Sequence, residues 1–187
     1  SNLVGINYYP RDTPWDRFWE NYSAETTAQD LALIKQLEIN AVRIFIPYNT
    51  FGRDKVEAEQ LAHLLNFLDQ AEQQQIGVIL TLFDFHTDYK MNEWPRADRY
   101  IDAVVSAVAN HSALLAWDVK NEPDLDYAAN GKALTQLWLT HSIAQIRRND
   151  PKHPITIGWA TPQAAADLID QVDFVSYHYY GDPKKLV

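Results

Sequence analysis

The 187-residue chain contains no cysteine, and this absence excludes three kinds of chemistry. Disulfide bonds, thiolate zinc sites and a cysteine nucleophile are all impossible. Basic residues are also scarce, because 16 Lys and Arg stand against 25 Asp and Glu, which gives a formal net charge of −9. Proteins that bind nucleic acid or an acidic membrane surface carry a basic patch, so neither partner is expected.

Long apolar runs and glycine-rich loops are missing as well. No apolar run approaches the roughly 20 residues that cross a bilayer, so no membrane-spanning segment is predicted. None of the strand-like segments leads into a Rossmann or P-loop glycine motif. Apolar residues nevertheless make up 47% of the sequence, which is enough to build a buried core in a chain of this length.

Six apolar segments alternate with amphipathic segments along the chain. Strands are predicted at residues 4–8, 41–46, 76–83, 114–122, 155–159 and 172–177. Apolar residues at helical spacing lie between them, and Thr161-Pro162 predicts a helix start after the fifth strand. This order is typical of a parallel sheet covered by helices, and the missing phosphate loops favour a barrel over a doubly wound sheet. The expected fold class is therefore α/β, a TIM (β/α)8 barrel.

The chain is short for a complete barrel of this kind, which typically needs about 250 residues. We therefore expect residues 1–187 to form one barrel domain with about six βα units, incomplete at its C-terminus. The first and sixth strands would then be open edges, and such edges tend to associate. Self-association, or a missing C-terminal segment that completes the barrel, is the expected consequence.

Polar and aromatic residues collect where the predicted strands end. Barrel enzymes place catalytic groups at the C-terminal ends of their strands, so these side chains are expected to share one cleft. Pro123 cannot continue a central strand, which sets Glu122 at a strand end, where a carboxyl group can act as a general acid. The candidate site residues are Tyr8, Arg43, His86, Asn121, Glu122, Trp159, His178 and Tyr180.

These candidates also have purely structural interpretations. Glu122 could cap a helix, and Tyr8 and Trp159 could be core aromatics rather than platforms for stacking sugar rings. Arg43 lies in an apolar strand and needs a buried partner. A structural ion pair and a role in the site are equally open for it.

No cofactor or metal site is predicted. Asp84, His86 and Asp88 alternate in sequence, but no further cluster of ligands accompanies them, and a protein metal site needs a nearly closed ligand set. A calcium ion bound by a loop is the open alternative.

Taken in order, the strand segments resemble the retaining glycoside hydrolases of clan A, especially the family 5 cellulases and mannanases. The segments that carry the resemblance are Gly5-Ile6-Asn7, Asn40-Ala41-Val42-Arg43-Ile44, Asp84-Phe85-His86, Asn121-Glu122-Pro123 and His178-Tyr179-Tyr180. The resemblance implies a (β/α)8 barrel that hydrolyses β-linked poly- or oligosaccharides with retention. It also implies that Glu122 is the acid/base, that Asn121 binds the sugar 2-hydroxyl, and that Arg43 holds the nucleophile. The implied lining of the −1 subsite is His86, His178 and Tyr180.

The resemblance also implies that the catalytic nucleophile is not among residues 1–187. The family's nucleophile is a glutamate at the end of the seventh strand, so it is expected beyond Val187, and the 187 residues alone are expected to be nearly inactive. The alternative function is a non-catalytic barrel of glycosidase ancestry that binds glycan or serves as a scaffold. A secreted or extracytoplasmic location is favoured by the resemblance alone.

Overall fold

The computed structural model describes residues 3–182. Within that range the strands are β1 (Gly5–Asn7), β2 (Ala41–Pro47), β3 (Gly77–Asp84), β4 (Leu114–Asn121), β5 (Ile155–Trp159) and β6 (Ser176–Tyr177). The α-helices are α1 (Arg17–Glu20), α2 (Ala24–Gln36), α3 (Ala58–Gln73), α4 (Trp94–Val108), α5 (Tyr127–Asn130) and α6 (Lys132–Asn149). Short 3₁₀ turns fill several of the remaining connections.

The strands form one sheet in the order β1-β2-β3-β4-β5-β6, and every neighbouring pair is parallel. This confirms the predicted sequential strands and the partial (β/α)8 barrel. The physical reason is visible in β2, where every residue is buried although strand neighbours point to opposite faces. A strand buried on both faces needs helices on one side and a barrel interior, here called the lumen, on the other.

Large aromatic side chains fill the layer between the sheet and the helices. Trp19, Trp117 and Trp138 are almost fully buried there, with Phe67 and Tyr100. Their polar atoms are satisfied, because the Trp19 indole donates to the Phe45 carbonyl at 2.7 Å and the Trp117 indole donates to Asp150 at 2.8 Å. The aromatic richness of the sequence is therefore mostly core packing.

The connection between β5 and β6 differs from the prediction. Thr161 accepts a hydrogen bond from the Ala164 amide at 3.3 Å, as an N-cap would, but the turn that follows is a 3₁₀ turn of three residues. Asp167 is extended and Leu168 is left-handed, with φ 55°, so an α-helix cannot propagate. The sixth strand is also shorter than predicted, with only Ser176 and Tyr177 in the ladder.

The sheet exposes two edges within residues 3–182, because β1 pairs only with β2 and β6 pairs only with β5. All three residues of β1 are exposed.

No helix in the described part of the chain is both long and apolar enough to cross a membrane.

Candidate active site

A buried ion pair lies at the centre of the lumen. Arg43 Nε and Nη2 both donate to Asp118 Oδ2, the former at 2.9 Å. Thr81 donates to the same oxygen at 2.6 Å, and the Gly158 amide donates to Oδ1 at 2.8 Å. Asp118 is fully buried, so its charge depends on these donors. The sequence required a buried partner for Arg43, and Asp118 is that partner.

A β-bulge brings Asn121 to the same face of β4 as Asp118. Asp118 pairs with Thr156 and Asn121 pairs with Gly158, so three steps on β4 oppose two steps on β5. In a regular strand, residues three positions apart point to opposite faces. The extra residue of the bulge brings Asp118 and Asn121 to the same face. Asn121 Oδ1 accepts from Arg43 Nη2 at 3.2 Å as a result.

Glu122 follows in a left-handed backbone conformation, with φ 51° and ψ 50°. A non-glycine residue there is uncommon and costs roughly 1–2 kcal/mol. The conformation turns the chain sharply at the strand end, while the Glu122 amide still donates to the Gly158 carbonyl at 2.7 Å. Two consecutive residues, Asn121 and Glu122, thereby join one polar cluster.

His178 connects Glu122 to Arg43. Its Nδ1 lies 2.6 Å from Glu122 Oε1, and its Nε2 lies 3.1 Å from Arg43 Nη1. A guanidinium can only donate, so Nε2 accepts and Nδ1 carries the proton that is donated to Glu122. This tautomer fixes one oxygen of Glu122 and leaves Oε2 available to hold a proton. The Glu122 side chain is 25% exposed, which allows contact with a ligand.

Asp84 adds a third carboxyl group to the cluster, after Asp118 and Glu122. Its Oδ1 accepts from Asn121 Nδ2 at 3.3 Å and from the Phe85 amide at 3.1 Å. Burial raises the pKa of Asp84, and the positive charge of Lys120 opposes that rise. From the sequence, Asp84 was noted only as part of the Asp84-Phe85-His86 segment and as a member of the alternating Asp84, His86 and Asp88, for which no metal site is predicted.

Tyr9 is a site residue that the sequence-based candidate list omitted. Its ring stacks on Phe45 with centroids 5.0 Å apart, and Phe45 in turn lies 4.4 Å beneath the Arg43 guanidinium. Burial, followed by the charge of Asp84, raises the pKa of Tyr9. The sequence contained a signal for this, because Tyr8 and Tyr9 are consecutive residues after a strand and must therefore point to opposite faces of the sheet.

Three of the predicted site residues, Tyr8, Trp159 and His86, lie outside this hydrogen-bonded cluster. Tyr8 points to the helix layer, where its hydroxyl donates to Asp30 at 2.7 Å, because its neighbour Tyr9 takes the lumen side. Trp159 is 1% exposed and belongs to the core, because Gly158 is the lumen-facing residue of β5.

His86 is the third of these residues. It packs among aromatic rings, 5.1 Å from both Tyr48 and Trp138. Phe85 is left-handed, with φ 56°, and this reverses the expected alternation, so that Phe85 is the exposed residue. Burial and the nearby charge of Lys120 lower the pKa of His86 to about 4.

Tyr180 lies at the rim of the site. Its ring centroid is 6.3 Å from that of His178, and it is 88% exposed. Phe85 and Trp15 are also exposed near the strand ends, each at 57%, and Trp15 contacts Tyr9 edge to face. Exposed aromatic faces around a polar centre are suited to stacking the flat faces of sugar rings.

One group of possible metal ligands occurs within the described residues, formed by Asp69, Glu72 and His111. It belongs to the end of α3 and the segment before β4, at the opposite end of the sheet from Glu122. His111 and Asp69 are already joined by a hydrogen bond of 2.8 Å. This group is therefore separate from the site around Glu122, which combines carboxyl groups with an amide, an imidazole and a guanidinium.

Comparison with known proteins agrees with this arrangement of elements. Residues 4–185 match the model of the cellulase family, glycosyl hydrolase family 5. The chain belongs to that family, which confirms the resemblance that the strand motifs predicted. The mannan endo-1,4-β-mannosidase A of Emericella nidulans is 27% identical over 144 residues, which cover 60% of this chain and 37% of that protein.

Solved structures share the fold. The exo-β-1,4-mannosidase Op5Man5 from Opitutaceae bacterium strain TAV5 aligns with a TM-score of 0.77 and 24% identity, over 88% of this chain and 33% of that one. A β-mannanase from the blue mussel Mytilus edulis aligns with a TM-score of 0.60 and 18% identity, over 91% and 60% respectively. The chain thus spans about a third of the first relatives it matches.

Proposed function

We propose that the protein is a glycoside hydrolase that cleaves β-linked glycans with retention, and that Glu122 is its acid/base. The observation that carries this proposal is the left-handed turn at Glu122, which brings its carboxyl group to His178 in the network of Asn121 and Arg43. Family membership supports hydrolysis of a β-glycoside. The retaining stereochemistry and the roles of the individual residues are those that the resemblance to the clan A glycoside hydrolases implies, and the contacts around Glu122 support these roles.

In the proposed mechanism, Glu122 protonates the oxygen of the leaving sugar while a second carboxylate attacks the anomeric carbon. Water then attacks the anomeric carbon of the glycosyl-enzyme, which releases the second carboxylate, and Glu122 takes up the proton of that water. His178 supports both steps, because its Nδ1–H keeps its proton and donates a hydrogen bond to Oε1, while Oε2 gives up and takes back the reacting proton. Asn121 is placed to contact the sugar 2-hydroxyl.

The second carboxylate is proposed to lie beyond residue 187. Retention needs two carboxyl groups about 5–5.5 Å apart. Asp118 is unsuited to attack, because it is fully buried and receives bonds from Arg43, Thr81 and Gly158. Arg43 directs four N–H groups to Asp118, Asn121 and His178, and its remaining N–H together with its positive charge supports a role in stabilising a carboxylate from an adjoining strand.

We propose β-1,4-mannan as the first substrate to test. The name of the 27% identical relative specifies mannan, and the names of two structural neighbours specify β-1,4-mannoside or mannan hydrolysis. The exposed aromatic rings of Trp15, Phe85 and Tyr180 support contact with a glycan at the rim of the site. β-Glucan is the natural comparison substrate, because the family model is that of the cellulases.

Replacing Glu122 by Gln in the complete gene product tests the proposal. Turnover of unactivated β-1,4-mannan should fall by about 10²–10⁴-fold, because the leaving oxygen is no longer protonated. Formation of the glycosyl-enzyme from 4-nitrophenyl β-mannoside should be much less affected, since nitrophenolate leaves without acid assistance. The measurement is burst and steady-state kinetics on both substrates.

Glu38→Gln is the matched control, because Glu38 is also a left-handed glutamate, with φ 61°, but lies exposed before β2 at the other end of the sheet. It should leave both rates unchanged. An equal loss on both substrates for Glu122→Gln would overturn the acid/base assignment. Binding of mannan oligosaccharides without any turnover by the complete protein would instead indicate the non-catalytic alternative.

A further inference from the structure

Lys120 is a buried cation next to the catalytic turn. It is 4% exposed, which is rare for lysine unless the ammonium group is paired. Its Nζ donates to the Asn121 carbonyl at 3.0 Å and lies 3.1 Å from Asp126 Oδ2. Tyr89, which is fully buried, donates its hydroxyl to the same Asp126 oxygen. We call this group the Lys120–Asp126–Tyr89 clamp.

The clamp spans the turn that carries Glu122. Asn121 is the last residue of β4, and Asp126 ends the 3₁₀ turn Pro123–Asp126 that follows Glu122. Lys120 therefore ties the strand end to the far end of that turn. Tyr89 adds a third attachment, because it belongs to the segment after β3.

The clamp acts where the backbone is strained. The left-handed conformation of Glu122 costs roughly 1–2 kcal/mol, so contacts that hold the chain on both sides of it favour its persistence. The charge of Lys120 also extends to other groups at the strand ends, because it opposes the rise in the pKa of Asp84 and contributes to the lowered pKa of His86. An apolar core at this position would be no less stable, since a buried ion pair gains little over packed hydrophobic side chains.

We propose that Lys120 is a positioning residue for the acid/base, acting through the clamp to hold the Glu122 carboxyl group at the leaving-group oxygen. This inference rests on the proposed function of Glu122 and adds a residue to it. Acid catalysis is sensitive to position, because a displacement of about 1 Å can cost about 10²-fold in rate. Loss of the clamp should thus weaken proton transfer selectively.

The test is Lys120→Met in the complete gene product, which keeps the aliphatic stem and removes the charge. On unactivated β-1,4-mannan oligosaccharides, kcat should fall by about 10–100-fold with little change in KM. On 4-nitrophenyl β-mannoside, the glycosylation rate should fall by less than about threefold. A smaller folded fraction lowers the rates on both substrates by the same factor. A purely structural role of Lys120 would therefore leave the ratio of the loss on mannan oligosaccharides to the loss on the nitrophenyl substrate at one.

Lys132→Met is the matched control. Lys132 also pairs with an aspartate, Asp167, at 3.1 Å, but its side chain is 57% exposed on α6. It should leave the ratio at one. Tyr89→Phe is the second variant, because it removes only the hydroxyl from the clamp and should show a smaller loss with the same substrate selectivity if Lys120→Met fails to fold.

The outcomes separate this inference from the proposed function. Equal losses on the two substrates for Lys120→Met, or for Tyr89→Phe where Lys120→Met does not fold, overturn the positioning role. If Glu122→Gln shows selective loss and the clamp variants do not, the acid/base assignment stands and the clamp is structural. If Glu122→Gln itself shows no selectivity, the proposed function fails first.

Discussion

At the scale of single residues, His86 shows how burial changes the chemistry of a side chain. Its Nε2 is buried without a hydrogen-bond partner, and aromatic rings from Tyr48, Phe83, Tyr89 and Trp138 surround it. An imidazolium in that place would lose its hydration, and the charges of Asp88 and Asp126 would compensate only partly. The ring is therefore neutral at physiological pH and contributes packing.

This environment predicts a pH dependence of stability. The pKa of His86 is about 4 in the folded chain against 6.5 for the free side chain, so the unfolded state binds more protons between these values. The free energy of unfolding should decrease as the pH falls from 6.5 to 4, by on the order of 3 kcal/mol from this group. Asp88 and Asp126 partly oppose this shift and Lys120 reinforces it.

His86→Phe should remove this contribution, because phenylalanine retains the aromatic contacts and does not titrate. The measurement is urea unfolding of both proteins at pH 7 and pH 4. The wild type should lose more stability than the variant between the two conditions. The same loss in both proteins would contradict the prediction.

At the scale of elements, the contact between β4 and β5 determines the site. The bulge on β4 gives Asp118 and Asn121 a common face, and Gly158 on β5 leaves room for the Arg43 guanidinium between them. A Cβ atom at Gly158 would lie 2.3 Å from Arg43 Nη2 and 2.9 Å from Asp118 Oδ2. A side chain at that position and the buried ion pair are thus mutually exclusive.

Gly158→Ala should therefore destabilise the chain by roughly 1–3 kcal/mol, because the added methyl group displaces a buried guanidinium. Gly77→Ala on β3 is the control, since the three atoms nearest to its Cβ would all belong to the side chain of half-buried Leu115, which can rotate away. Denaturant titration measures both. Unfolding of Gly158→Ala at the wild-type midpoint would show that the ion pair tolerates displacement.

At the scale of the whole molecule, six parallel strands curve into part of a barrel and leave two edges. Apolar side chains are exposed there, among them Ile6 at 39% on the β1 side and Val175 at 43% next to β6. A cleft of about 360 Å³ between these edges is lined by residues of β1, β2 and β6. Unpaired edges with apolar residues favour association with other strands.

The 187-residue chain by itself is expected to self-associate through these edges. Ile6→Lys should weaken that association, because a charge on an edge strand opposes pairing. Leu137→Lys is the control, since Leu137 is 57% exposed but lies on α6 away from the edges. Sedimentation velocity over a range of concentrations measures the effect. A monomer at every concentration would contradict the prediction.

The order and direction of the strands were determined by the sequence. Segments that are apolar on both faces, separated by amphipathic segments, leave a helix-covered parallel sheet as the solution that buries them all. Pro123 likewise fixed the end of β4, and the alignment of parallel strand ends brought Arg43, Asn121, Glu122 and His178 into one hydrogen-bonded network.

The direction of each side chain was decided only by the tertiary structure. Alternation along a strand reverses with a shift of one residue, so a bulge at Asn121 or a left-handed residue at Phe85 or Glu122 changes which neighbour faces the lumen. For this reason Tyr9 lies at the site and Tyr8 does not. The partner of Arg43 was also decided by the fold, because Asp118 lies 75 residues away in the sequence and reaches Arg43 only through strand register.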